Sequence, residues 1–146
     1  MLTEPVKQFL EALRSGRFTQ IHGALKSNQG CCCLGVAAEI FLPENGKIEP
    51  YDDYYAFKTP DSTDSAYLPP YAQKILGIRS WSGRPLLVVE PSDDFPSILE
   101  MNDKLRWPFT RIADFLEANA HLYFEGCTRE NCPDQNGKVD WNKALD

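Results

Sequence analysis

The sequence predicts an α+β fold, a mainly helical single domain with three to four helices on a small, partly antiparallel sheet. Three observations lead there. Apolar residues recur with helical spacing in three segments: Val6, Phe9, Leu10 and Leu13; Leu34, Ala37 and Phe41, widened by Val36 and Ile40; and Phe109, Ile112, Ala113 and Leu116. One apolar run, residues 86–89, lies between Pro85 and Pro91 and has the length and bounds of a short buried strand. A chain of 146 residues, 42% hydrophobic and 25% charged, is long enough for one continuous core and too apolar to be disordered.

Taken in order, Thr3 caps the first helix, Pro5 suits its first turn, and Ser15-Gly16 ends it. Residues 17–30 connect, with a short strand at 18–21 and turn chemistry at Gly23 and Asn28-Gln29-Gly30. A central helix starts at Cys33 and stops at Leu42, because the residue before Pro43 is pushed out of the helical region. Glu44-Asn45-Gly46-Lys47 is a turn. Residues 48–67, rich in Tyr, Asp, Pro, Ser and Thr without a period, predict a long loop over one end of the domain, holding a short strand at 54–57. Loops of that length are often lids or binding loops. Leu68-Pro69-Pro70 opens a short helix that Gly77 closes. Asp93 or Asp94 caps a helix over 95–101, and Pro108 starts the last helix, which runs toward Tyr123 and ends at Gly126. The compact domain is therefore 1–126. Residues 127–146 form a polar tail with a turn at 134–137 and an anchor at Trp141.

Several function classes are excluded at this level. No apolar run approaches the roughly 20 residues of a membrane span, and the first residues lack a basic stretch followed by an apolar one, so the expected site is the cytoplasm, without a membrane partner. A net charge of −6 argues against nonspecific nucleic-acid binding. Five cysteines is an odd count, and a reducing compartment keeps thiols free. Adjacent cysteines at 31–33 with Cys127 and Cys132 do not match the paired spacing of zinc ligands, so no metal is expected. No glycine-rich phosphate loop, dinucleotide fingerprint or helix-borne histidine pair is present, and no cofactor is expected.

The residues with chemistry gather around the front of the cysteine helix. Arg14, Arg17, Gln20 and His22 form a polar run just ahead of Cys31, Cys32 and Cys33. Arginine offers a two-pronged fork to phosphate or carboxylate, and a glutamine between apolar neighbours needs a partner, protein or ligand. Asn102 and Asp103 either face this run or serve as a local capping turn. Tyr54 and Tyr55, with Tyr51 and Tyr67, either stack on a ligand ring or anchor their loop on the core. A helix N-terminus favours a thiolate, so Cys31 or Cys32 with His22 or His121 would make a nucleophile pair. The competing reading is that these thiols are simply buried.

The blocks Leu13-Arg14-Ser15-Gly16-Arg17-Phe18, Gln20 with Gly23-Ala24-Leu25, Cys32-Cys33-Leu34-Gly35-Val36, Leu68-Pro69 with Ile75-Leu76-Gly77-Ile78, Asn102-Asp103, and Phe109 with Ile112-Ala113-Asp114 and Glu117 come in an informative order. Across residues 9–117 they resemble a group of short, largely uncharacterised proteins found mostly in bacteriophages and prophages. A third cysteine, a longer central loop and the cysteine-bearing tail depart from that pattern. The resemblance implies a phage accessory protein, and phages commonly spend such genes on countering host defence. With the charge distribution, the expected function is binding and sequestration of a small anionic, nucleotide-type ligand without catalysis. Arg14, Arg17, Gln20 and His22 would make the contacts, Tyr54 or Tyr55 would stack, and Asn102 and Asp103 would face the ligand. The alternatives are a cysteine-dependent hydrolase or transferase, and a module that blocks a host protein. If the chain is phage-encoded, its place is the host cytoplasm.

Overall fold

Six helices and two small antiparallel sheets make up residues 1–86 and 95–128, the part of the chain that the computed structural model describes. The α+β expectation holds, with more and shorter helices than periodicity predicts. Helix α1 (Glu4–Arg14) begins where Thr3 Oγ1 accepts the Val6 N–H at 3.4 Å, and it buries Val6, Phe9, Leu10, Ala12 and Leu13. Strands β1 (Lys26–Ser27) and β2 (Gly30–Cys31) form a minimal hairpin around Asn28-Gln29. Helix α2 (Cys33–Ile40) is the centre of the molecule. Every residue from Cys33 to Ala38 is buried, and the helix packs on both α1 and α4 (Ile98–Asp103).

Gly35 explains how α2 gets so close to the chain before it. A Cβ there would stand 1.8 Å from the Leu25 carbonyl oxygen, so only glycine lets the helix cross that backbone. The crossing is fixed by the Cys32 N–H, which donates to the same oxygen at 3.0 Å.

The region expected to be a long loop with one short strand is a three-stranded sheet, in which the strand expected at 54–57 is the central one. Strands β3 (Lys47–Tyr51), β4 (Tyr54–Lys58) and β5 (Thr63–Asp64) pair antiparallel in that order, with Tyr51 opposite Tyr54 and Ile48 opposite Phe57. The hairpin turns on Asp52-Asp53, and Asp52 takes a φ of 52°. Asp tolerates this conformation better than most side chains, but Asp-Asp lacks the glycine that signals such a turn in sequence. The sheet's inner face carries Phe57, fully buried, to the core.

Smaller differences have local causes. Residues 18–21 form no strand; their one pairing is a parallel bridge between Gln20 and Cys31. Helix α4 starts at Ile98, where Ser97 with Glu100 closes a reciprocal capping box. Asp93 and Asp94 lie outside the described residues, as do 87–89 of the expected strand. Leu86 sits in a turn, its N–H on the Leu122 carbonyl. Helix α3 (Pro70–Leu76) ends at Gly77 in the left-handed region, as expected. The last helix divides at Asn119 into α5 (Phe109–Ala118) and α6 (Ala120–Tyr123). Cys127 is buried with the core and Thr128 bonds Met1, so the domain runs past 126. Residues 129–146, with the expected turn and Trp141, lie outside the described part.

Candidate functional site

The centre of the site is a buried amide. Asn102, on the last turn of α4, is fully buried, and its side chain makes four hydrogen bonds. Its Oδ1 accepts from the Cys33 N–H at 3.1 Å and from Gln20 Nε2 at 2.8 Å; its Nδ2 donates to the Ile21 carbonyl at 2.9 Å and to Asp103 Oδ1 at 2.8 Å. That exhausts its capacity of two donors and two lone pairs. Gln20 Nε2 also donates to the Trp107 carbonyl at 2.8 Å, and the Gly23 N–H donates to Asp103 Oδ1 at 3.2 Å. Gln20, Asn102 and Asp103 therefore meet, as expected of a site. They meet to bind one another, and so stitch residues 20–23 to the α4–α5 connection.

The thiols lie beneath this stitch. Cys32 caps α2, its Sγ accepting the Gly35 N–H at 3.3 Å, while Asn102 takes the Cys33 N–H. These are donors that an anion at a helix N-terminus would need. Cys33 Sγ turns inward to the Ile98 carbonyl. Burial pushes the Cys31 thiol up to about 11 and the Cys32 thiol up to about 12, and it raises Cys33 well above the ordinary value. Desolvation thus outweighs the helix dipole, the reverse of what a nucleophilic cysteine requires. His22 is exposed on the 17–23 loop and bonds no thiol; His121 lies on α6.

The expected arginine-rich hollow is redistributed. Arg14 turns to α5, where it bonds Asp114 Oδ1 at 2.7 Å and Glu117 Oε1 at 2.8 Å. Those two bonds raise its pKa further above the usual value. Tyr54 is exposed on the outer face of the β3–β4 hairpin beside Asp52 and Asp53. Tyr55 is half-buried on the opposite face, near the ion pair of Lys26 and Glu39.

Arg17 keeps its free charge, its guanidinium 5.4 Å from the Phe18 ring centre. Across the stitch stand three further cations on residues 104–111: Lys104, Arg106 and Arg111, all exposed, the last with its guanidinium 4.3 Å over the Trp107 ring. None of these four cations has a carboxylate partner among the described residues. Arg106 holds a φ of 54°, a conformation that favours glycine. The two edges of the seam, 17–23 and 104–111, are held together by Gln20 on Trp107 and Gly23 on Asp103.

A family model described as a domain of unknown function, DUF8296, matches residues 1–120. The chain belongs to that family. No curated protein and no solved structure matches it. The part of the DUF8296 chain covered by the match includes the whole seam, the cysteine helix and the hairpin.

Sequence reasoning on this DUF8296 protein missed Lys104, Arg106 and Arg111. The available signal was the run between Asp103 and Asp114, which has three cations and no acid. Among the described residues of the DUF8296 chain, no three His, Cys, Asp or Glu side chains converge as metal ligands would. Cys132 lies outside them. No described helix is long and apolar enough to cross a membrane.

Proposed function

We propose that this protein is a non-catalytic binder of a small anionic, nucleotide-type ligand, held on the seam between residues 17–23 and 104–111. The observation that carries the reading is the set of unneutralised cations, Arg17, Lys104, Arg106 and Arg111, on a chain whose net charge is −6. On such a chain, excess cations flanking one seam make a local positive field toward which an anion is drawn. Two of the guanidinium groups rest on aromatic rings, which restricts them beforehand and leaves their N–H edges able to fork to a phosphate. A charged side chain at the glycine-favouring conformation of Arg106 costs stability, a pattern found where function outweighs it. His22 adds a polar edge to the same loop. The buried, protonated thiols tell against the cysteine-dependent alternative. With the resemblance to phage and prophage proteins, the role is an accessory that withdraws a nucleotide signal of host defence from solution.

Thermal shift against a panel of cyclic nucleotides and ADP-ribose compounds tests this, because a ligand at a hundredfold its Kd adds about 2.7 kcal/mol to the folded state. At least one compound should raise the Tm, and the Lys104→Ala/Arg106→Gly variant should lose that rise. No shift with any compound, or a shift untouched by the variant, overturns the proposal.

A further inference from the structure

The β3–β4 hairpin presents a second surface, independent of the seam and of opposite charge. Its register puts Tyr51 directly opposite Tyr54 on the outer face, next to the turn formed by Asp52 and Asp53. The tyrosines are 54% and 45% exposed, more than a ring needs if its task is to anchor a sheet. Glu49 follows two residues before Tyr51 on the same face, opposite Ala56. None of Glu49, Asp52 and Asp53 has a cationic partner among the described residues. Residues 44–64 hold six acids (Glu44, Glu49, Asp52, Asp53, Asp61, Asp64) against two lysines (Lys47, Lys58).

The hairpin is held firmly enough to act as a platform. Phe57, fully buried on the inner face, fixes β4 to the body, and β5 pairs with its far side. Addition of a partner strand to the free edge of β3 is blocked. In a two-residue hairpin Tyr51–Tyr54 is a hydrogen-bonded pair, so the Pro50–Tyr55 pair points its backbone outward, and Pro50 has no N–H to offer there. What remains for a partner is the side-chain face of the tip.

We propose that this tip, Tyr51, Asp52, Asp53 and Tyr54, is a docking site for an arginine-bearing basic segment of another protein. Charge complementarity selects the occupant. A guanidinium can lie on a tyrosine ring while its N–H fork engages an adjacent aspartate, and arginine and tyrosine are both enriched where interfaces draw their affinity. Lysine, a compact and strongly hydrated charge without a planar face, fits the same place less well.

The test is fluorescence anisotropy with a labelled nonapeptide of arginine, the corresponding nonapeptide of lysine, and an acidic nonapeptide, on the full chain near 0.1 M salt. The arginine peptide should bind and the lysine peptide bind several-fold more weakly. Tyr51→Ser/Tyr54→Ser should weaken the arginine peptide about tenfold. Glu44→Gln/Asp61→Asn removes as much charge as a double change at the turn would, but away from the tip, and should change binding less than twofold. Absence of arginine-peptide binding, equal binding of the two basic peptides, or indifference to the tyrosine changes overturns the proposal. An equal loss in the Glu44/Asp61 variant does too, since it would show attraction by overall acidity only. Circular dichroism of the tyrosine variant should match the parent, as both rings lie mostly outside the core.

Discussion

Asn102 and Arg106 are four residues apart and belong to opposite regimes. Asn102 is fully buried with every donor and acceptor used, and it joins three segments of the chain. Arg106 is exposed, has no carboxylate partner among the described residues, and sits on a backbone conformation that works against it. In the sequence both are polar residues of one loop. In the fold the first holds the seam closed and the second lines its rim. Polar groups satisfied by the protein itself report on architecture, and those left unsatisfied at the surface report on what the protein can engage.

The comparison breaks most sharply at Gly35, beneath the buried side of the seam. In an isolated helix, Gly→Ala gains about 0.8–1.0 kcal/mol. Here the sign should reverse, because the new Cβ meets the Leu25 carbonyl at 1.8 Å. Gly35→Ala should lose about 3 kcal/mol or more, or fail to fold; a urea midpoint at or above the parent's would refute the crossing of α2 over Leu25. Next comes Asn102→Ala, which strands the Cys33 N–H, the Ile21 carbonyl and the Gln20 amide, and should cost about 2–3 kcal/mol by chemical denaturation. A cost below about 1 kcal/mol, typical of a surface contact, would move Asn102 out of the buried class.

Alkaline pH tests the thiols under the stitch. Unfolded, Cys31 and Cys32 ionise near 9, whereas in the fold they keep their protons to about 11 and about 12. Across that window the native state binds more protons than the unfolded chain, so the contribution is intact below pH 9 and drains away as pH rises toward 12. The urea midpoint should fall between pH 8 and pH 10.5, and Cys31→Ala should flatten part of the fall. A flat profile in the parent would mean that these thiols are solvated. The smallest effect belongs to the rim. Arg106→Gly should leave stability unchanged or raise it by about 0.5–1 kcal/mol, by relieving the positive φ. A measurable loss of stability would show that Arg106 supports the fold and is no rim cation.

Helices α1, α2, α3 and α5 were legible because their apolar spacing and their Thr3, Pro and Gly77 boundaries are local signals. Of the hairpin only β4 was legible, as the strand expected at 54–57; Asp52-Asp53 is a weak turn signal, and Pro50 with an exposed Tyr51 hides β3. At the site, Gln20 with Asn102 and Asp103 could be singled out, since a glutamine among apolar residues demands a partner. That the partner is Asn102 rests on contacts 82 residues apart, which no local pattern encodes. Arg14 was misplaced because Asp114 and Glu117, a hundred residues on, claim it. Lys104, Arg106 and Arg111 were not legible because residues 103–107 meet the 20–23 loop through contacts 87 and 80 residues apart, Gln20 to Trp107 and Gly23 to Asp103.

The span of the Asn102 bonds has a kinetic consequence. Its links to Gln20 and Cys33 close loops of 82 and 69 residues, and closure of such long loops is an entropic cost that contacts repay only late in folding. The two cationic edges are therefore distant strangers in a nascent or partly collapsed chain. A ligand that bridges them would recognise only molecules that have completed their journey to the native state.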